Sequence, residues 1–191
     1  EFADYEGGFD IHDPDSVLRT AEEVLASVRR GLRTLTNTSG FASLVPAVGS
    51  NLVECLPDAT TVEDVAGVPG RIVDVKGRAT VPADPEFGVS EHVASVLLAA
   101  RSADVDVRAA ACVRYDEAIL DSLRAMGHDT VAFDPAGEDD AAAIVDALDG
   151  AVPTETFALS QAGAYGIEPI TYVLGPDAPT VARAVVETLL R

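Results

Sequence analysis

The chain has 191 residues with 13 Lys and Arg against 32 Asp and Glu, a net charge of −19, which makes this chain by itself a poor binder of nucleic acid. Hydrophobic residues make up 48%, too many for an acidic disordered tail, and no apolar run reaches the roughly 18 residues of a membrane span. Two cysteines without a CxxC pair exclude a disulfide scaffold and a cysteine-rich zinc site.

Lys76 is the one lysine beside twelve arginines. The acid excess reads either as a local acidic face for a basic partner or, since the acids spread along the whole sequence, as the coat of a cytoplasmic protein in molar internal salt. There the Debye length is about 3 Å and like-charge repulsion is weak. The opening EFADYEGGFDIHDPD is acidic and has no apolar signal core. Without an initiator Met, the chain is expected to be a piece of a longer protein, with Glu1-Phe2 a cloning remnant.

In chain order, residues 1–12 read as a linker. Asp13-Pro14 opens a helix, and Val17, Leu18, Ala21, Val24, Leu25, Val28 and Leu32 recur at helical spacing to about Leu35. Arg29, Arg30 and Arg33 sit in its last turns, where they complement the dipole or meet an anionic partner. Phe41–Leu56 is punctuated and carries no clear element. Residues 61–66 read as a short helix. Arg71–Val75 and Ala79–Val81 alternate like a hairpin joined at Lys76-Gly77. Ser90 caps a helix over Glu91–Ser102, followed by a buried strand over Val107–Val113 and a helix over Asp116–Met126. A strand over Thr130–Phe133 precedes a helix over Glu138–Leu148. Strands over Phe157–Ser160 and Pro169–Leu174 and a helix over Pro179–Leu190 complete the pattern. Interleaved strands and helices give a layered α/β class.

Four places can carry chemistry. The first is the loop Gln161–Pro169, where Gly163 and Gly166 permit left-handed backbone and N–H groups turned toward a phosphate, beside Glu168. It is neither a P-loop nor a dinucleotide fingerprint. The second is Gly88-Val89-Ser90-Glu91-His92, opening a helix whose first N–H groups suit an anion; His92 is an acid–base candidate or a packed side chain. The third is Arg114-Tyr115, at a strand's carboxyl end where ligands gather, with a structural ion pair as the competing role. The fourth is Arg71, Lys76 and Arg78 around the hairpin. The three histidines show no zinc spacing, so no metal site is expected.

Six short segments then occur in order: Val45-Pro46 with Ser50-Asn51-Leu52; Leu56-Pro57; Asp64–Ile72; Phe87–Ala94; Val113-Arg114-Tyr115; and Gly166–Ile170 with Leu174-Gly175. In order and spacing they resemble the archaeal thiamine-phosphate synthase ThiN domain. The resemblance covers residues 38–191, leaving 1–37 as linker and amphipathic helix. It implies a three-layer α/β/α fold with a mixed, mostly antiparallel sheet, class II aldolase-like, and a homodimer. Catalytic members join hydroxymethylpyrimidine diphosphate to thiazole phosphate, releasing diphosphate. Other members follow a helix-turn-helix domain and sense thiamine phosphate as repressors.

Three departures from the catalytic pattern stand out. Ile167 occupies the lysine position of the family's Gly-Lys-Glu-Pro loop, Cys112 replaces an asparagine, and the helical extension with its histidine is missing. Asn51, Arg71, Gly88, Ser90, His92, Arg114, Tyr115, Gly163, Gly166 and Glu168 still match a phosphate-recognising set. The expectation is a non-catalytic effector domain that senses a thiamine phosphate, contacting DNA only through a preceding domain and no membrane. Magnesium would enter only with a diphosphate ligand. The alternative is an active thiamine-phosphate synthase.

Overall fold

Helix α1 (Val17–Asn37) buries Val24, Val28, Leu32 and Leu35, the stripe its 3.6-residue spacing predicts, while Leu18 stays in solvent. The computed structural model describes residues 17–134 and 140–190; the Asp13-Pro14 helix start lies outside them. A short 3₁₀ turn (Phe41–Leu44) leads to strand β1 (Leu52–Cys55). That strand is missing from the sequence reading, because all four residues are buried and period-two alternation is erased. The helix expected over 61–66 is corrected too. Only Val62–Asp64 turns, with Asp64 accepting from the Thr60 and Thr61 N–H groups, and strand β2 (Val65–Gly67) follows.

The hairpin forms as expected. Strands β3 (Val73–Val75) and β4 (Arg78–Thr80) pair antiparallel, and Lys76 and Gly77 make the two-residue turn in left-handed backbone. It stands apart from the main sheet. Strand β5 (Glu86–Phe87), α2 (Glu91–Ser102), β6 (Ala109–Arg114) and α3 (Glu117–Ala125) follow. Then come β7 (Asp129–Ala132), α4 (Asp140–Leu148), β8 (Phe157–Gln161), β9 (Ile170–Gly175) and α5 (Ala178–Glu187). A 3₁₀ turn over Thr188–Leu190 ends the last helix earlier than the periodicity predicts.

The seven-stranded sheet runs β5-β2-β1-β6-β9-β8-β7, antiparallel throughout except for the parallel β7–β8 pair. Alternation along β6 divides the core. Ala109, Ala111 and Val113 join the cluster built with α1, α3 and α5, whereas Ala110 and Cys112 join the cluster built with α2 and α4. Helices therefore cover both faces, giving the expected three layers with a mixed, mostly antiparallel sheet. No helix among the described residues is long and apolar enough to cross a membrane.

The α1 layer approaches the sheet closely at Gly31. A Cβ there would lie 2.6 Å from Leu52 Cδ2 and 2.9 Å from the Ala178 carbonyl oxygen. Alanine favours helix by about 1 kcal/mol over glycine, but forcing a methyl into packed backbone costs roughly 1–3 kcal/mol. Gly31→Ala is therefore expected to lower stability by about 1–2 kcal/mol, read as a depressed denaturation midpoint in a denaturant titration.

Candidate functional site

A cavity of about 760 Å³ opens on the α2/α4 face of the sheet. Three backbone turns make its walls: the loop before β1, the N-terminus of α2, and the hairpin-like loop between β8 and β9. The structure brings Asn51, Arg71, Ser90, His92, Gly166 and Glu168 together in its lining. Gly88, Arg114, Tyr115 and Gly163 are not among the lining residues. The lining also includes Cys112, Asp140, Gln161 and Ile167.

Several roles expected from the sequence change on inspection. Asn51 is buried, and its side chain is consumed by backbone. Its Oδ1 accepts from the N–H groups of Leu52 (2.9 Å) and Val68 (3.0 Å), and its Nδ2 donates to the Val68 carbonyl (2.9 Å). It is a clamp between β1 and the segment after β2 more than a ligand contact. Glu168 is likewise engaged. Its carboxylate accepts from the N–H groups of Ala47 (2.7 Å) and Val48 (3.0 Å), tying the two loops that flank the cavity.

The loop expected to form an anion nest has spent much of its backbone internally. Gly163 N–H donates to Gln161 Oε1, and Ala164 and Ile167 exchange both of their N–H···O bonds around a Tyr165-Gly166 turn. Gly163 is needed for shape: its φ is 81° and a Cβ would lie 2.9 Å from the Ile167 carbonyl oxygen. Ser90 precedes α2 but does not cap it with its side chain, because its backbone is left-handed with φ 62°. Its hydroxyl thus makes no cap bond and sits in the cavity lining.

Arg114 lies at the end of β6 on the cavity's face by alternation with Cys112, yet its guanidinium meets the Asp116 carboxylate at 2.9 Å. The ion-pair role is the one observed. Tyr115 donates its hydroxyl to Glu117. Gly88 has a φ of 75° and donates its N–H to the Val65 carbonyl, shaping the turn before α2.

Arg71 is the lone lysine or arginine among the described lining residues, and it donates to the Val48 carbonyl. His92 supplies the other ring of donors. Its Nε2 lies 2.6 Å from the hydroxyl of Tyr172, a side chain with no solvent exposure. Burial pushes that hydroxyl well above the ordinary tyrosine pKa, so it stays protonated and is able to donate to Nε2. With Tyr172 as the donor, the imidazole carries its proton on Nδ1 and presents it to the cavity. Sequence reasoning misses Tyr172 because its role depends on β9 packing beneath α2, 80 positions away. Tyr172→Phe is expected to leave the fold intact and release the tautomer, seen as a change in the His92 ring-nitrogen NMR shifts and about tenfold weaker ligand binding.

The negative groups matter equally. Glu91, Asp140 and Glu168 all line the cavity, and Asp140 Oδ1 is buried without a hydrogen-bond partner. Cys112 is buried and its thiol pKa is raised by that burial, so it remains a neutral packing group. Its Sγ accepts the Asn51 N–H at 3.2 Å. Among the described residues no three His, Cys, Asp or Glu side chains gather as a metal-binding group.

The sequence of this site and its scaffold matches the family model described as thiamine-phosphate synthase ThiN, over residues 27–187. The chain belongs to the ThiN family. It is similar to "Thiamine-phosphate synthase ThiN" of Methanothermobacter thermautotrophicus, 32% identical over 176 residues, covering 86% of this chain and 92% of that protein. A shorter match, 39% identical over 83 residues, is to the bifunctional thiamine biosynthesis protein ThiDN of Methanocaldococcus jannaschii, covering 43% of this chain and 20% of that one. Among solved structures, the C-terminal domain of protein MJ0236 superposes with a TM-score of 0.77 at 30% identity, over 88% of this chain and 94% of that one. The C-terminal domain of phosphomethylpyrimidine kinase superposes with a TM-score of 0.68 at 26% identity, over 92% and 98%.

Proposed function

We propose that this ThiN domain is a thiamine-phosphate synthase, joining hydroxymethylpyrimidine diphosphate to thiazole phosphate in the cavity between α2 and the β8–β9 loop. The observation that carries the reading is the match to a thiamine-phosphate synthase across 92% of that protein's length. The cavity's size supports it, since ligand pockets run to roughly 300–1,000 Å³.

In this reading Arg71 binds a phosphate oxygen and the His92 Nδ1–H donates to a second. The carbon–oxygen bond to the diphosphate breaks with its electron pair leaving on the diphosphate, and the thiazole nitrogen forms the new bond to the carbon. The charge that develops on the leaving group needs donors already in place. Glu168 acts indirectly, by holding the Ala47–Val48 backbone and hence the Arg71 anchor at Val48. Magnesium would enter with the diphosphate and neutralise phosphate charge, with Asp140, whose Oδ1 has no partner, and Glu91 as the lining carboxylates on that side that would hold it. Incubating the chain with both phosphorylated substrates and magnesium tests the proposal. Thiamine phosphate and diphosphate appearing in equal amounts is the expected result; none appearing in molar salt overturns it.

A second reading is favoured by one feature. Ile167, apolar, stands in the lining where catalytic relatives are expected to carry lysine, so the cavity has one guanidinium for a diphosphate. That composition suits a domain that binds a thiamine phosphate as a signal and regulates transcription through a DNA-binding partner domain. Calorimetric binding of thiamine phosphate together with no turnover would select it.

A further inference from the structure

The arginines of α1 and of the β3–β4 hairpin, distant in sequence, meet at a second groove of about 650 Å³. Arg29 and Arg33 line one wall and Arg78 the other, with Thr36 and Thr80 beside them. Leu32, Val75, Val81 and Pro85 form an apolar surface between the walls. In a chain with 32 acids and 13 cations, three guanidiniums gathered in one groove are an anomaly. One acid, Asp84, lines it, and among the described residues none of the three arginines has a carboxylate within 4.0 Å. The arginine ion pairs among the described residues lie elsewhere, at Arg19, Arg108, Arg114 and Arg124.

We propose that this groove is a second anion site, separate from the cavity at His92, that takes a small phosphorylated molecule with an apolar body. Guanidinium forks match phosphate oxygens bidentately, whereas the Thr36 and Thr80 hydroxyls donate to the Leu32 and Arg78 carbonyls and only border the groove. The apolar strip between the walls has no use for bare inorganic phosphate but receives a ring or chain attached to it. A duplex nucleic acid fits poorly, because three cations stand against the repulsion of a net charge of −19. The hairpin is exposed and off the main sheet, so a ligand bridging it to α1 would fix its position.

The test is an NMR titration of the full chain, following the arginine Nε–Hε signals, with inorganic phosphate and phenyl phosphate as probes. The expected result is one saturable shift of Arg29, Arg33 and Arg78, with phenyl phosphate binding about tenfold tighter than phosphate. An Arg33→Gln/Arg78→Gln double variant should weaken that binding at least about tenfold, while the Arg71 signal titrates as before and turnover at the His92 cavity is unchanged. Both substitutions are at exposed positions, and unchanged amide spectra confirm the fold. The proposal is overturned if the three signals stay still while Arg71 moves, if the double variant binds equally well, or if phosphate and phenyl phosphate bind alike. Shifts caused by a short DNA duplex but not by phenyl phosphate overturn it as well.

Discussion

Asn51→Ala is expected to destabilise the chain by about 3–5 kcal/mol. The side chain holds three buried backbone groups: the Leu52 and Val68 N–H and the Val68 carbonyl. Truncation leaves all three without partners in the interior. Each buried orphan costs roughly 1–3 kcal/mol. Asn51→Asp separates the roles, since it can still accept from both N–H groups but loses the donor to Val68 and brings a buried charge. It should fall between wild type and alanine in chemical denaturation, with ligand binding at Arg71 retained wherever the protein remains folded. If Asn51→Ala melts like the wild type while losing ligand, the residue belongs to the binding surface and the clamp assignment fails.

Glu168→Ala is expected to abolish detectable binding in the cavity and to lower stability by about 2 kcal/mol. The carboxylate accepts two charge-assisted bonds from consecutive N–H groups, at 2.7 and 3.0 Å. Those bonds fix the Val48 carbonyl, which in turn receives the Arg71 guanidinium. Loss of Glu168 thus frees the one arginine in the lining. Glu168→Gln keeps an accepting oxygen and should retain part of both properties. Calorimetry with thiamine phosphate and a thermal melt read the two effects separately. A melt unchanged by the alanine substitution would mean the loop is held by other means.

The elements that the sequence makes legible are those whose burial is one-sided. The α1 stripe from Val24 to Leu35 leaves such a period to read, whereas the β3–β4 hairpin, exposed all along β3, is legible from its Lys76-Gly77 turn. Strand β1 is opaque because Leu52, Val53, Glu54 and Cys55 are all buried. Its polar member, Glu54, points into the interior, where burial raises its carboxyl pKa and the Ala178 N–H satisfies it at 2.8 Å. Strands β2 and β5 are too short, at three and two residues, to show any period.

The site divides in the same way. His92, Arg71, Ser90 and Gly166 are visible as residue types next to turns and helix starts, and the structure gathers them. What each side chain does there depends on partners far along the chain. Asn51 reads as a ligand group until Val68 is seen beside it. Arg114 reads as a phosphate anchor until Asp116 claims it. Tyr172 sits in an unbroken strand and gives no signal of its own.

The order of strands in the sheet carries a consequence for how the chain folds. Its middle is β1, β6 and β9, which pair Leu52 with Ala111 and Ala111 with Val173. Each pairing closes a loop of about sixty residues, so the centre of the sheet is assembled from segments spread across nearly the whole chain. No terminal piece holds a complete central ladder: cutting before Ile170 removes β9 and leaves β6 with an open edge. Loss of β9 is therefore expected to unravel the centre of the sheet, and refolding is expected to be slowed by the search that brings residue 52 and residue 173 to either side of β6.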